Sequence, residues 1–327
     1  GDGRANLVAR ISGADRRPGL LLCGHLDTVP VRAERWTVPP LGGVVLDGRL
    51  FGRGAVDMKG SVAAMAIAVR NVHARGLALE GDLVLGCTAG EEVDSFGARA
   101  MADAGLLEGI GTAVIGEPTG LTVGVGHRGA LWVSVGAKGR PAHGSRPDRG
   151  TNAVRLLLDW LHPFGELEAL VAEGSDDLLG RGSLSLNLIE GGQAPNVVPD
   201  RASATLDFRT LPTHDHDALL SALRARGEAV EVSVLRNNRP VLIAEDAPLA
   251  RAAAAAVSFV TGSRAVVRGL PYMTDASVFA SELGIPVVIV GPGPETDAHT
   301  DDESVEIAEL ERASAVYEHL IERVLHV

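Results

Sequence analysis

The sequence has few cysteines, a shortage of positive charge and no long hydrophobic run, and each shortage argues against a class of protein. Cys23 and Cys87 are its two cysteines, and both lie in apolar strand-like segments, which predicts buried free thiols rather than a disulfide or a metal site. Lysine and arginine total 30 against 42 aspartates and glutamates, and the net charge of −12 argues against nucleic-acid or anionic membrane partners. The longest apolar run, Val62 to Val69, is too short to span a bilayer, and the N-terminus lacks a signal-peptide pattern. We therefore expect a soluble, cytoplasmic protein.

What the sequence does contain is typical of a compact protein of two domains. It has 327 residues, of which 46% are hydrophobic and 40 are glycines. In residues 1–127 and 239–327, β-type segments alternate with helical patterns, which predicts an α/β fold with a mainly parallel sheet and helices on both faces. The predicted strands include Leu20 to Cys23, Leu83 to Cys87, Thr112 to Ile115 and Val287 to Val290, and the predicted helices are Lys59 to Arg75, Ser95 to Asp103, Leu249 to Val260, Asp275 to Leu283 and Val305 to Val324.

Residues 128–238 follow a different order of elements. The patterns there predict a strand over Ala130 to Lys138, a helix over Thr151 to Ala172, strands over Ser183 to Glu190 and Ala202 to Arg209, a helix over Asp215 to Arg226 and a strand over Ala229 to Leu235. This β-α-β-β-α-β order is that of the ferredoxin-like unit. The sequence therefore predicts a small α+β domain inserted into a larger α/β domain.

Two adjacent glutamates, Glu91 and Glu92, follow the apolar strand that begins at Leu83. In an open α/β sheet, ligands and catalytic groups collect at strand ends. Neighbouring residues of an extended chain point to opposite sides, so one carboxylate could hold a metal while the other moves a proton. The alternative is an acidic loop before the helix that begins near Asp94, favoured by the helix dipole.

His25 and Asp27 follow another predicted strand and lie on the same side of an extended chain. A carboxylate that accepts the second ring N–H of a metal-bound imidazole fixes its tautomer and orientation. The pair therefore has the spacing of a metal ligand and its orienting group. The alternative is an aspartate that forms a turn before Val29 and Pro30.

Three further residues stand at strand ends or helix starts of the same predicted domain. Asp57 precedes an alanine-rich helix, Glu117 ends the run from Thr112, and His299 follows the strand that ends at Val290. Taken singly, each has an ordinary explanation, such as helix capping for Asp57. Taken together with His25, Glu91 and Glu92, they form a set of two imidazoles and three or four carboxylate ligands that can converge. Such a set suits two zinc-type ions, about 3.5 to 4 Å apart, that share a bridging carboxylate and a water.

Eight short motifs extend this pattern along nearly the whole chain. They are Gly24-His-Leu-Asp-Thr-Val-Pro30, Gly52-Arg-Gly-Ala-Val-Asp-Met-Lys-Gly60, Glu91-Glu92, Gly116-Glu-Pro-Thr119, Ala142-His-Gly-Ser145, Asn196-Val-Val-Pro199, Asp207-Phe-Arg209 and Thr274-Asp-Ala276. With these motifs the sequence resembles the co-catalytic zinc amidohydrolases, the family that includes acetylornithine deacetylase, succinyl-diaminopimelate desuccinylase, aminoacylases and glutamate carboxypeptidase. Members usually carry a helical segment before the first strand, whereas this sequence opens directly at Gly1, as a trimmed or a naturally short chain would.

The resemblance implies a role for each residue of the pattern. The implied metal ligands are His25 and Glu117 for one ion, Glu92 and His299 for the other, and Asp57 as the bridge. Glu91 would be the general acid/base for a metal-bridged hydroxide, and Asp27 would orient His25. The cofactors implied are two Zn²⁺ ions, with Co²⁺ or Mn²⁺ as substitutes.

The resemblance also assigns the inserted domain. It would act as a lid and form a homodimer, and His143 would reach the partner's active site to stabilise the oxyanion. Arg209 and Asn196 would receive the carboxylate of the substrate, and Thr274 would contact the substrate as well.

The expected function is hydrolysis of the amide bond of a small N-acyl-amino acid. The segments Gly291 to Gly293 and Ala298 to Glu303 are somewhat closer to acetylornithine deacetylase than to the desuccinylase. Two alternatives stay open: a carboxypeptidase or dipeptidase of the same family that acts on short peptides, and a catalytically silent relative that binds metal or ligand.

Overall fold

The computed structural model describes residues 3–326, which form two compact units. Unit 1 runs up to His127 and resumes at Val241, and unit 2 runs from Arg128 to Pro240. The strands are β1 Leu7–Ile11, β2 Gly19–His25, β3 Val44–Leu46, β4 Arg49–Phe51, β5 Leu83–Thr88, β6 Ile110–Ile115, β7 Val123–His127, β8 Gly129–Lys138, β9 Ser183–Gly191, β10 Arg201–Thr210, β11 Val230–Asn238, β12 Val241–Leu242, β13 Val267–Leu270, β14 Val287–Ile289 and β15 Ser304–Glu306. The helices are α1 Gly60–Ala74, α2 Phe96–Asp103, α3 Ala153–Leu161, α4 Phe164–Ala172, α5 His216–Ala225, α6 Pro248–Thr261, α7 Ala276–Leu283 and α8 Ile307–Leu325.

The main sheet of unit 1 has the order β1-β5-β2-β6-β14-β7-β12, with β13 paired to β7. Its central strands β5, β2, β6 and β14 pair in parallel, and the antiparallel partners β1 and β12 lie at the ends of this order. Strands β2 and β5 are buried along their whole length, as expected of parallel strands covered on both faces. The predicted α/β fold with a mainly parallel sheet is therefore confirmed.

Helices cover both faces of this sheet. Leu21 and Cys23 belong to a buried cluster with Met101 of α2 and Phe279 of α7. Because side chains alternate along a strand, Leu20 and its i+2 neighbour face the opposite side, where α1 and α8 contact β2. Both cysteines are buried and unpaired. Within residues 3–326, no helix is long and apolar enough to cross a membrane.

A second, three-stranded sheet of order β15-β4-β3 lies in the same unit. Its strands β4 and β15 are antiparallel and align Phe51 with Ser304. The chain leaves β4 and turns through residues 55–59 into α1. This small sheet therefore fixes the entry to the helix that follows Asp57.

Unit 2 contains an antiparallel sheet of order β11-β8-β10-β9, with helices between its strands in the predicted ferredoxin-like order. Its core includes Leu131, Leu157 and Phe208. The single helix predicted over Thr151 to Ala172 is wrong, because the structure has α3 and α4 in its place. Pro163 has no N–H to continue a helix and favours the extended conformation that the residue before it adopts.

Candidate metal centre

The six residues that the sequence groups as metal ligands and acid/base lie together at one edge of the main sheet. His25 ends β2, while Glu91 and Glu92 follow β5. Glu117 follows β6, and the loop after β14 carries His299. Since β5, β2, β6 and β14 are parallel neighbours, their carboxyl ends meet at this edge. Asp57 joins the group from the turn before α1.

Asp57 lies between the two imidazoles and contacts each through a different oxygen. Its Oδ1 is 3.0 Å from Nε2 of His25, and its Oδ2 is 3.1 Å from Nε2 of His299. On one side, Glu117 Oε1 lies 3.7 Å from His25 Nε2. On the other, Glu92 Oε2 lies 3.0 Å from His299 Nε2. The cluster therefore has two halves joined by one carboxylate.

Potential ligand atoms within the cluster are close enough to share ions. Those of His25, Glu91 and Glu117 all lie within 4.8 Å of one another, and so do those of His25, Asp57 and Glu92. His25 is 1% exposed and Glu117 is 5% exposed, whereas the side chain of His299 is 51% exposed. The cluster therefore extends from a buried interior to an open side near His299.

The turn at 55–59 directs the Asp57 carboxylate into the cluster. Gly54 has φ of 85°, a left-handed conformation that glycine adopts without steric cost. Asp57 itself is non-helical, with φ of −122° and ψ of 95°, and the helix begins only at Gly60. The Asp57 side chain thus extends from a non-helical turn, where its direction is not set by the geometry of α1.

Burial and crowding shift the pKa values of these groups strongly. Burial, the Asp275 charge and other nearby carboxylates raise the pKa of Glu91 to about 8. Burial and the Asp57 charge raise the pKa of Glu117 well above its ordinary value. Burial opposes charge on Asp57 too, but hydrogen bonds from both imidazoles hold its pKa well below the usual range. Hydrogen bonds to Asp57 and Glu92 raise the pKa of His299 to about 10.

This donor set fits divalent cations. Imidazole nitrogens and carboxylate oxygens are typical zinc ligands, and Asp57 directs one oxygen to each half of the cluster. Bound cations would also offset the mutual repulsion that raises the pKa values of Glu91 and Glu117.

Asp27 contacts both His25 and the loop that carries the two glutamates. Its backbone carbonyl lies 2.9 Å from His25 Nδ1, whereas its Oδ1 lies 3.7 Å from that nitrogen. The carboxylate accepts hydrogen bonds from the N–H groups of Gly90 at 2.7 Å, Glu91 at 3.3 Å and Glu92 at 3.2 Å. The closer contact to the imidazole thus comes from the carbonyl, and the carboxylate fixes the glutamate loop.

Asp275 is a residue to which the sequence pattern assigns no role. It is 2% exposed, and its Oδ2 accepts a hydrogen bond of 2.8 Å from Thr88 Oγ1. Its charge is the largest of the charge effects that raise the pKa of Glu91. The one hint of a role in the sequence was that Asp275 lies in a motif after β13. Only the packing of α7 against the sheet brings it near Glu91.

The substrate contact predicted for Thr274 stays a prediction. This residue is fully buried, and its Oγ1 accepts a hydrogen bond from the N–H of Ala276 at 3.1 Å. The hydroxyl also lies 3.3 Å from His127 Nε2. The contacts that the structure shows are those of a residue that fixes the start of α7.

The other predicted site residues belong to unit 2. His143 is exposed, and its Nδ1 accepts a hydrogen bond of 3.2 Å from the N–H of Ser145. The next residue, Gly144, donates its N–H to the carbonyl of Asn196 at 2.7 Å, so the loops of His143 and Asn196 are adjacent. Arg209 lies on β10, where its Nε is 2.9 Å from Asp207 Oδ1.

Comparison with known proteins places the chain in a family. The family model described as peptidase family M20/M25/M40 matches residues 21–323. The chain belongs to this family. M20 enzymes are metal-dependent hydrolases, so the cluster at the sheet edge lies in a fold of that class.

Its M20 relatives include proteins named as desuccinylases. A probable succinyl-diaminopimelate desuccinylase of Staphylococcus epidermidis is 33% identical over 336 residues, covering 93% of this chain and 82% of the relative. The succinyl-diaminopimelate desuccinylase of Rhodospirillum centenum is 32% identical over 339 residues, covering 97% of this chain and 84% of the relative.

Solved M20 structures share the fold. The metallo-carboxypeptidase Sso-CP2 of Sulfolobus solfataricus matches with a TM-score of 0.80 at 20% identity, over 97% of this chain and 87% of that one. The YXEP protein of Bacillus subtilis, described as a dinuclear metal binding peptidase, matches with a TM-score of 0.73 at 18% identity, over 98% of this chain and 85% of that one.

We expect Asp27→Ala to loosen the glutamate loop. Removing the carboxylate leaves the N–H groups of Gly90, Glu91 and Glu92 without their acceptor, so amide hydrogen exchange at these positions should accelerate about tenfold. Hydrogen-exchange mass spectrometry or NMR measures the change.

The control is Asp94→Ala in the same loop. The Asp94 Oδ1 accepts the N–H of Phe96 at 3.1 Å, so exchange should accelerate there and not at Gly90. Unchanged exchange at residues 90–92 in Asp27→Ala would contradict the assigned role of this carboxylate.

Proposed function

We propose that this protein hydrolyses the amide bond of a small N-acyl-amino acid with the help of two divalent ions. The observation that carries the proposal is the placement of Asp57, whose two oxygens face imidazoles from opposite halves of the cluster. A carboxylate shared in this way can bridge two ions that lie close together.

The proposed ligands form two groups, one on each side of Asp57, which would bridge the two ions. His25 and Glu117 would hold one ion, preferably Zn²⁺, and Glu92 and His299 the other, with Co²⁺ or Mn²⁺ as substitutes. When bound, such ions lower the pKa of a coordinated water and polarise a substrate carbonyl.

Glu91 is proposed as the general acid and base. It is 7% exposed and lies in the same 4.8 Å group as His25 and Glu117. Burial and nearby carboxylates raise the pKa of Glu91 in the metal-free protein, and cations bound by the neighbouring ligands would lower it towards the range in which a carboxylate can accept a proton from water. Glu91 would take the proton of the attacking water and return it to the departing amine nitrogen.

His143 is proposed to donate a hydrogen bond to the carbonyl oxygen of the substrate. In the tautomer whose Nδ1 accepts the N–H of Ser145, with the Ser145 hydroxyl 2.8 Å away, the neutral ring carries its proton on Nε2. An exposed N–H of this kind can stabilise the negative charge that develops on the oxygen. In a dimer it would act on the active site of the partner subunit.

The names of the relatives and two side chains of unit 2 support an acylated amino acid as substrate. Both relatives described above carry the desuccinylase name, whereas the motifs after β14 favour the deacetylase, so both acyl groups need testing. We propose that Arg209 and Asn196 receive the substrate carboxylate. The Arg209 guanidinium is held by Asp207 and its side chain stays 31% exposed, which leaves donors for an anion.

A carboxypeptidase or dipeptidase is the second candidate. It is favoured by the similarity in fold to the metallo-carboxypeptidase Sso-CP2 and to the dipeptidase Dug1p of Saccharomyces cerevisiae, which matches with a TM-score of 0.73 at 17% identity. A catalytically silent metal-binding protein is disfavoured, because such a protein would not need Glu91 in addition to its ligands.

A substrate panel tests the proposal on protein loaded with Zn²⁺ or Co²⁺. We expect hydrolysis of N-acetylornithine or N-succinyl-diaminopimelate to be faster than hydrolysis of dipeptides that end in glutamate. Faster hydrolysis of the dipeptides would favour the peptidase. Full metal occupancy without hydrolysis of any of them would favour the silent binder.

Glu91→Gln and Glu92→Gln form a matched pair of neighbouring isosteric changes. We expect Glu91→Gln to keep both ions and to lower kcat by about 10²- to 10⁴-fold, because it removes only the proton carrier. We expect Glu92→Gln to lose one ion, because it removes an anionic ligand. Metal content is measured by inductively coupled plasma mass spectrometry, beside kcat. A Glu91→Gln protein that lacks metal would show that the roles are divided wrongly.

We also propose that unit 2 forms a homodimer through the outer edge of β9. This strand is at the end of its sheet and pairs with β10 on one side. Leu188 and Ile189 on it are 60% and 54% exposed, and edge strands with exposed apolar side chains pair readily with another chain.

Leu188→Lys should therefore disrupt the dimer by placing a charge in the interface. Sedimentation velocity is expected to show about twice the chain mass of 33.9 kDa for the unchanged protein and the monomer for the variant. The control is Leu235→Lys, because Leu235 is 59% exposed on β11 at the opposite edge. Dissociation by the control alone would move the interface to that edge.

A further inference from the structure

The turn that carries Asp57 has two backbone N–H groups held by a distant carboxylate. Both Val56 and Asp57 donate to Oε1 of Glu303, at 2.8 Å and 3.0 Å. Residues 56 and 57 precede α1, so regular helical hydrogen bonds do not fix their orientation. The Glu303 carboxylate thus sets the direction of the backbone from which the Asp57 side chain extends.

Glu303 is itself buried and rigidly held. It is 1% exposed, and its second oxygen, Oε2, lies 2.5 Å from Nη1 of Arg53. Arg53 is 7% exposed, and its guanidinium carbon lies 5.4 Å from the centre of the Trp36 ring. A buried carboxylate is costly unless it is paired and hydrogen-bonded, and here both of its oxygens are engaged.

The same residue is linked to the other half of the cluster. Glu303 lies four residues after His299, and its carbonyl accepts the N–H of Gly52 at 2.9 Å. Strand β15, which begins directly after it, pairs with β4. One residue therefore joins the loop of His299 to the turn of Asp57.

We infer that Glu303 is a positioning residue for the proposed two-ion site, acting through the backbone of Asp57. The inference rests on the proposed function, in which Asp57 bridges the ions. Glu303 is not among the proposed ligands. It fixes the relative placement of Asp57 and His299. Its loss should therefore weaken metal binding more than a substitution elsewhere that lowers the stability of the protein by the same amount.

The test measures metal affinity separately from stability. Glu303→Gln keeps the shape of the side chain, but its single carbonyl oxygen cannot serve both the backbone N–H pair and Arg53. We expect the affinity for Zn²⁺, measured by competition with a chromophoric chelator, to fall about 10- to 100-fold, as is typical of groups that orient metal ligands. The visible spectrum of the Co²⁺ form should change as well, since it reports ligand geometry.

The matched control is Asp82→Asn. Asp82 also accepts a backbone N–H, from Gly13 at 2.9 Å, and pairs with Arg10, but it lies at the opposite end of β5 from Glu91. We expect this control to lower the melting temperature of the metal-free protein without changing zinc affinity or the Co²⁺ spectrum.

Glu303→Ala, which removes the carboxylate, and Asp57→Ala complete the set. If the unchanged protein binds zinc and Asp57→Ala loses it, while Glu303→Gln and Glu303→Ala bind as tightly as the unchanged protein, the positioning role is overturned and the proposed function stands. If Asp57→Ala retains both ions at full affinity, the proposed function fails instead. Should Glu303→Ala not fold, the comparison of Glu303→Gln with Asp82→Asn decides the inference.

Discussion

Electrostatic crowding at the carboxyl ends of four parallel strands is the constraint on which the rest of the site depends. Glu91 and Glu117 are both buried, close to each other and to Asp57, and burial together with repulsion from nearby carboxylates raises the pKa values of the two glutamates. Such a cluster is stable as a set of carboxylates only when cations or imidazolium groups lie among them. His25 and His299 supply part of this compensation through their contacts with Asp57.

The residues around the cluster hold the backbone of the segments that carry the proposed ligands, and not only their side chains. Two carboxylates outside the proposed ligand set accept N–H groups from the segments that carry ligands. Asp27 accepts those of residues 90–92, and Glu303 accepts those of Val56 and Asp57. Because each carboxylate belongs to a different segment from the N–H groups that it accepts, the rest of unit 1 resists small shifts of these loops. The proposed two-ion site would need this restraint to hold its ions at a fixed separation.

Membership of the M20 family and the geometry of the cluster are two independent lines of support for the proposed function. The family match covers residues 21–323 and the similar solved structures share the fold at low identity, so they establish the scaffold. The case for chemistry comes from particular atoms: Asp57 between two imidazoles, and Glu91 buried beside them. In the proposed function, the choice between acylated amino acids and peptides rests on the proposed carboxylate contacts of Asn196 and Arg209, which belong to unit 2.

The sequence by itself determined the elements and the kinds of side chain at their ends. Apolar strands alternating with helical patterns predicted the parallel sheet, and the residues at the strand ends predicted a shared site. Both are local properties, because burial gives each strand its composition and strand ends meet wherever parallel strands are neighbours. The break at Pro163 was also a local signal, since proline cannot donate the N–H that a continuous helix needs.

Only the tertiary structure decided which groups support the site. In the sequence, Glu303 is the last of three consecutive acidic residues and resembles a solvated loop, yet packing buries it against Arg53 and the turn of Asp57, more than 240 positions away. Asp275 likewise approaches Glu91 only because α7 packs against the sheet. Such roles depend on contacts with distant segments, and those partners leave no pattern in the spacing of residues along the chain.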